Sequence, residues 1–376
     1  MGSFAGLSVL ARERKGEGVK PQPKKLALAQ DVSQIEKVEL HQHVDGSIPV
    51  DVTWKLMRKH GLNPVETKKE MEKLLVLQEG EEGALLKYLD KFHYPQWITQ
   101  FYGNISHVVE AIVAEAYENN VRLLELRYAP IIHTFAGLTL RQTISSVLTG
   151  INKAKDRFPT MEAGLIVIAM RHQGPHIAKI LARQAISEGQ ALHNRTGVIG
   201  FDIAGAERGN PARLFEESYE IARRGGLHLT IHAGEDEGPQ AIWEAVDVLG
   251  VKRIGHGCSA IQDKTLLKRL ARDKVMIECC YTSNYQTGAV KLGEPHPILT
   301  FLEYGIPVSI CTDNTTVSAT SQNKENEKLL PWLNEAELAQ IHKESKKYSF
   351  IHHENGRPRA ALTQIKNPGK RRLGLV

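Results

Sequence analysis

Read as a pattern of apolar and polar positions, the chain alternates short apolar runs with longer amphipathic stretches from Ile35 onward. The short runs have strand length: Val38–Leu40, Arg122–Tyr128, Gly164–Met170, Gly197–Ile203, Leu227–Ile231, Arg253–Ile254, Val275–Glu278 and Pro307–Cys311. Between them, stretches such as Val108–Asn119, Leu140–Lys155, Ile177–Glu188, Pro211–Arg224 and Thr265–Arg272 repeat apolar residues at three- and four-residue spacing, the signature of helices with one buried face. Eight strands alternating with helices predict an α/β fold of the (β/α)8 TIM-barrel kind, with a parallel sheet closed on itself. The connection between the first and second strands is unusually long. It reads as several helices, including Val52–His60, Thr67–Leu77 and Leu85–His93. An insertion after a barrel strand emerges at the C-terminal face, where such barrels carry their sites. It is therefore expected to cap the pocket, rather than to decorate the surface.

Composition adds boundaries. The net charge is +5 over 376 residues, but it is unevenly spread. Residues 1–30 carry six Lys/Arg against two acids and residues 351–376 carry six against one, leaving the middle at −4. The expected layout is a loose basic arm over 1–34, a catalytic barrel over 35–350 and a basic tail over 351–376. No aromatic-plus-basic motif accompanies the basic ends, so a nucleic-acid partner is not expected. No run of about 18 apolar residues is present, and the N-terminus lacks the pattern of a secretory or transit signal. Cys258, Cys279, Cys280 and Cys311 form no CxxC pair and read as reduced, buried thiols in a cytoplasmic protein.

The candidate chemistry sits at the ends of the predicted strands. The first is followed by Leu40-His41-Gln42-His43-Val44-Asp45-Gly46. Alternate residues of an extended chain project to one side, so His41 and His43 can reach the same metal ion. The fifth strand ends in His232-Ala233-Gly234-Glu235, the sixth in His256-Gly257, and the eighth in Thr312-Asp313-Asn314. One HxH pair alone is a weak signal. Histidines and an acid at four strand ends of one barrel face are a strong one, because they supply a nitrogen-and-carboxylate donor set suited to zinc, iron or cobalt. Four protein ligands with room for water describe a catalytic site, where the metal brings the pKa of water toward about 7. Glu235 then suits proton transfer to a ring nitrogen, or orientation of His232. His256 suits orientation of the attacking water, or a fourth nitrogen ligand. Gly205, after the fourth strand, admits a flat ligand close to the backbone or serves an ordinary turn. His133, His172 and His176 read as pocket-wall or surface residues, and the adjacent His352 and His353 cannot readily share a ligand.

These segments resemble the adenosine/AMP deaminase branch of the amidohydrolase superfamily. The resemblance rests on Val38–Gly46, Ile231–Glu235, Arg253–Gly257 and Thr312–Asn314, with support from Leu124–Pro130 and Ser283–Ala289, in the order that family shows. It implies one zinc held by His41, His43, His232 and Asp313. It also implies Glu235 as proton donor to a purine ring, His256 as partner of the attacking water, Asp45 at the sugar and Gly205 at the ring. The implied reaction replaces the 6-amino group of adenosine, or a related adenine nucleoside, by an oxo group and releases ammonia. The expected partners are a small nucleoside and water; the oligomeric state is open. The fourth strand end, Phe201-Asp202-Ile203-Ala204-Gly205, lacks the bridging Lys of two-metal relatives. One departure stands out: Asn314 replaces the second of two adjacent acids. An Asn amide donates a hydrogen bond without needing a proton, so Asn314 can still bind the ring edge. The same change is compatible with another substrate, of which 6-aminodeoxyfutalosine is the specific rival, or with a non-catalytic purine-binding relative. No Arg/Lys cluster in the motif loops suggests a phosphate site.

Overall fold

A computed structural model describes residues 31–188 and 197–351; the arm before residue 31, and the tail from 352 on with His352 and His353, lie outside the described residues. The strands are β1 (Lys37–His43), β2 (Val121–Tyr128), β3 (Glu162–Met170), β4 (Val198–Ala204), β5 (His228–Leu229), β6 (His232–Ala233), β7 (Arg253–His256), β8 (Met276–Cys279) and β9 (Val308–Ile310). All pair in parallel, as β1-β2-β3-β4-β5 and β6-β7-β8-β9. The two sheets form one barrel wall. A parallel bridge between Gln42 and Asp313 joins the last strand to the first, with His43 N donating to Asp313 O at 2.7 Å and Asp313 N to His41 O at 2.9 Å.

The expected fifth strand is a broken one. Thr230 N still donates to Phe201 O on β4, and Ile231 O accepts from Gly255 N on β7. Between those bonds the Thr230 carbonyl is taken by the Tyr219 hydroxyl at 2.7 Å instead of by a neighbouring strand. The expected strand therefore appears as β5 and β6, separated by Thr230 and Ile231, with the Thr230 carbonyl satisfied by a side chain. The arm also differs at its inner end. Residues Val32–Gln34 form a short 3-10 turn capped by Asp31, and Val32 is buried.

Local sequence explains the helices. Leu140–Arg157 begins with a reciprocal Thr139/Gln142 cap, and Glu335–Lys346 with an Asn334/Glu337 one. Lys264–Asp273 is capped by Asp263, and its Leu266, Leu267 and Leu270 face the barrel. The insertion after β1 contains helices Val50–His60, Lys68–Leu75, Leu85–Asp90, His93–Ile98 and Tyr102–Glu118. It docks on the loops after β8 and β9: Leu77 N donates to Val317 O, Gly83 N to Gln286 O, and the Tyr88 hydroxyl meets Ser318 Oγ at 2.7 Å. The insertion is thus a cap on the C-terminal face, as expected.

The barrel interior departs from the usual branched-apolar filling. Below the C-terminal face it holds Arg127, Arg253, Glu125, Glu278 and Asp202, all at most 1% exposed. Arg127 bridges Asp202 at 2.7 Å and also contacts Glu278; Arg253 bridges Glu278 at 2.7 Å and Glu125 at 2.6 Å. Removing one member of such a buried set leaves an uncompensated charge and costs about 3–5 kcal/mol. Cys258, Cys279, Cys280 and Cys311 are all free and buried. Among the described residues, no helix is long and apolar enough to cross a membrane.

Candidate active site and metal centre

Three imidazoles converge at the top of this charged floor. Nε2 of His41, His43 and His232 lie 3.1 Å from one another in all three pairs. Asp313 Oδ1 completes the group, 3.3 Å from His43 Nε2 and 3.7 Å from His41 Nε2. The far nitrogens of His41 and His232 are spoken for. His41 Nδ1 faces Glu278 Oε2 at 2.9 Å, and His232 Nδ1 lies 3.1 Å from Asp202 Oδ2. Both carboxylates are held by Arg127, so they act as acceptors and fix the hydrogens on Nδ1. The Nε2 lone pairs of His41 and His232 therefore point at each other and at a carboxylate oxygen. Neutral rings cannot satisfy one another in that arrangement, whereas a cation at its centre can. Ligands on a zinc-sized ion at about 2.1 Å stand about 3.0–3.4 Å apart, which matches the spacing. Burial, reinforced by Arg127 and the neighbouring histidines, holds His41 and His43 well below the usual imidazole range and so in the neutral, ligating form.

The backbone around these ligands is unusual. Asp313 has φ 62° and His256 φ 65°, in the left-handed region where a side chain is costly. Glu39 secures the Asp313 turn from below. Its carboxylate accepts from His41 N at 2.8 Å, Thr312 N at 3.0 Å, Thr312 Oγ1 at 2.7 Å and Gln322 Nε2 at 2.8 Å. Ser283 Oγ donates to Asp313 Oδ2 at 2.5 Å, and Asn314 Nδ2 donates to Oδ1 at 2.7 Å. Asn314 thus orients the ligand beside it, a role not foreseen in the sequence. It also presses on Gly46, where any β-carbon would fall 2.0 Å from Asn314 Oδ1.

Glu235 and His256 meet at the edge of the cluster, with Oε2 3.5 Å from His256 Nε2. Burial raises the Glu235 carboxyl well above the usual range, with further contributions from the negative charges of Asp313 and Glu207, which favours its protonated form. Its loop is gripped by Glu207, whose carboxylate accepts from Gly234 N at 3.0 Å, Glu235 N at 2.8 Å and Asp236 N at 3.0 Å. Sequence reading passed over Glu207, although it lies two residues after Gly205. Gly205 itself has φ 93°, so glycine is needed there. Asp45 is buried, its Oδ1 2.7 Å from His133 Nε2. His133, read from sequence as a pocket-wall or surface residue, is fully buried and stacks on Tyr128 at 4.5 Å.

A parallel barrel whose strand ends gather histidines and an acid around a cation-sized gap, with a buried carboxyl beside it, defines a metal-dependent amidohydrolase-type enzyme. The family model for adenosine deaminase matches residues 36–365. The chain belongs to the adenosine deaminase family, hydrolases of C–N bonds that act on adenosine-like substrates. It is 34% identical to an adenosine deaminase of Clostridium kluyveri over 77% of its length and 82% of that protein. It is likewise 34% identical to a probable adenosine deaminase of Dictyostelium discoideum, of which it spans 36%. Among solved structures it resembles adenine deaminase from Arthrobacter aurescens, with TM-score 0.76 and 26% identity over 84% of this chain and 94% of that one. It also shares the fold of an amidohydrolase from Burkholderia ambifaria solved with zinc bound, with TM-score 0.77 and 21% identity over 88% and 92%.

Proposed function

We propose that the chain is a one-zinc adenosine deaminase, exchanging the 6-amino group of adenosine for oxygen from water and releasing ammonia. The observation that carries this is the meeting of the His41, His43 and His232 Nε2 atoms with Asp313 Oδ1. When bound, zinc supplies the Lewis acidity that makes water nucleophilic near neutral pH. Every other part is played by the chain. Glu278 and Asp202 aim two of the ligands through their Nδ1 atoms. Glu235, protonated and held by Glu207, donates its proton to a nitrogen of the purine ring while the C–O bond forms. His256 orients the attacking oxygen. Asp45 takes the sugar, Gly205 lets the ring lie against the backbone, and Asn314 keeps one amide hydrogen for the ring edge. The barrel over 35–350 is the catalytic unit. Its partners are a small nucleoside and water, in a cytoplasmic setting.

The test is ammonia release from adenosine, 2′-deoxyadenosine, AMP, adenine, methylthioadenosine and aminodeoxyfutalosine, with metal content measured on the same sample. Adenosine is expected to give the highest kcat/KM, with one zinc per chain. Faster turnover of aminodeoxyfutalosine would reassign the substrate. Silence with every purine, in protein that carries zinc, would remove the deaminase reading.

A further inference from the structure

The loop after β8 places two buried polar side chains behind His256 that the roles above do not use. Asn284 is fully buried and His296 is 5% exposed. The Tyr281 ring stacks on His296 at 4.7 Å and fixes its plane. Asn284 Nδ2 is 2.8 Å from His256 Nδ1, Asn284 Oδ1 is 3.1 Å from His296 Nε2, and Ile298 N is 3.1 Å from His296 Nδ1.

The direction of this chain follows from its far end. A backbone N–H only donates, so His296 Nδ1 accepts from Ile298 and carries no hydrogen. Burial pushes the His296 imidazole down to about 3, so the ring is neutral and its one hydrogen sits on Nε2. That hydrogen goes to Asn284, which must present its oxygen. The reversed amide would require both His296 nitrogens to accept, an imidazolate that has no stabilising cation beside it. Asn284 therefore turns its NH2 toward His256, and His256 Nδ1 holds a lone pair. A ring whose Nδ1 accepts a hydrogen bond is not the doubly protonated cation, so His256 is neutral as well. Its single hydrogen is then on Nε2, the nitrogen that faces Glu235 and the metal-binding cluster.

We propose that the Ile298–His296–Asn284 chain fixes His256 as its Nε2–H tautomer, making it a hydrogen-bond donor to the attacking oxygen and barring it from the metal. The geometry alone leaves two histidine sets open, because His256 lies close enough to His41 and His232 to share an ion with them. A nitrogen that carries a hydrogen has no lone pair to give, so the chain selects the set with His43. Asn284 and His296 are positioning residues: neither touches substrate. The inference rests on the metal-dependent deaminase reading.

The direct test is nitrogen-15 NMR of histidine-labelled, zinc-loaded enzyme, with the His256 signals identified by their loss in His256→Ala. The hydrogen is expected on Nε2, and His256→Ala is expected to keep its zinc. A hydrogen on Nδ1, on both nitrogens, or loss of zinc from His256→Ala would overturn the proposal. Asn284→Asp offers Nδ1 an acceptor and should reverse the tautomer. Its kcat should fall about 100-fold, on the scale of losing one donor to developing charge, while KM moves by less than about threefold. An unchanged Nε2–H signal in folded Asn284→Asp would also overturn it. If Asn284→Asp does not fold, His296 carries the test. His296→Gln keeps a donor for Asn284 Oδ1 and should retain the Nε2–H signal and most of kcat, whereas His296→Leu should lose both. Equal behaviour of those two variants would defeat the chain. The NMR readout needs no turnover, so a reversed tautomer in an active deaminase and a correct tautomer in an enzyme silent on all purines are separate failures.

Discussion

The two halves of the barrel are built differently. From β1 to β4 the strands run seven to nine residues and pair in long ladders. From β5 to β9 they run two to four residues, and the wall is broken at Thr230. His41 and His43 stand on the long-stranded half, at the end of β1, where the pairing with β2 shifts register between Glu39 and Gln42. His232, Glu235, His256 and Asp313 stand on the other, where Asp313 and His256 adopt left-handed backbone. There, side chains replace the ladder: Glu207 holds three amides of one loop, and Glu39 with Ser283 and Asn314 holds the Asp313 turn. The lesson is a division of labour. The long-stranded half pairs along most of its length, and the short half gives up pairing to place chemistry on held loops.

Four substitutions test that division. His232→Ala should strip the metal and take turnover to background, with the barrel still folded by circular dichroism; full zinc by elemental analysis would take His232 out of the ligand set. Glu235→Gln should keep zinc and lower kcat by about 10²–10⁴, the range for losing a placed acid. Normal turnover would end its role as proton donor. Glu207→Gln puts an NH2 against three amide donors. About 1.5 kcal/mol of lost holding energy, roughly tenfold in kcat, is expected, together with faster amide exchange at Gly234–Asp236. A variant with unchanged exchange there would show that the loop stands without its anchor.

The smallest effect is expected from the long-stranded half. Lys37 opens β1, is fully buried, and donates to Val32 O at 2.7 Å and Ile35 O at 2.8 Å. Burial lowers its ammonium from 10.5 to about 8. Between about pH 8 and 10.5 the unfolded chain therefore binds more protons at this site than the folded one, and the Lys37 contribution to stability rises with pH. The limiting slope is about 1.4 kcal/mol per pH unit. The buried thiols, whose pKa values are raised, pull the other way. The measurement is therefore the difference between wild type and Lys37→Met in denaturant midpoints, which should shift in favour of wild type as pH rises through that window. kcat should not move.

The same division decides what the sequence shows. The long strands announce themselves as apolar runs, because parallel strands covered on both faces are buried throughout, as in Glu162–Met170. The insertion and its docking on the C-terminal face follow from its length and position. The residues proposed for the site are legible because each stands at or just after the end of a strand, and the structure brings His41, His43, His232, Asp313, Glu235 and His256 together. What is hidden is the support. The break at Thr230 depends on Tyr219, eleven residues earlier. Glu207, Asp202 and Glu278 look like ordinary acids until the fold sets them against amides and imidazoles. Asn314 reads from sequence as a substrate contact, yet its amide is spent partly on Asp313. A one-dimensional pattern carries periodicity; it does not carry which acid closes which loop.

The four thiols offer a last consequence of this layout. Cys258, Cys279, Cys280 and Cys311 are at most 2% exposed, and all lie between β7 and the Asp313 turn. A reagent that alkylates sulfur reaches them only when the wall around them opens, for Cys280 and Cys311 including their contacts with Val38, Leu40 and Leu123, so the rate of labelling is a stopwatch on that opening. The enzyme carries its own reporter of how often that wall breathes.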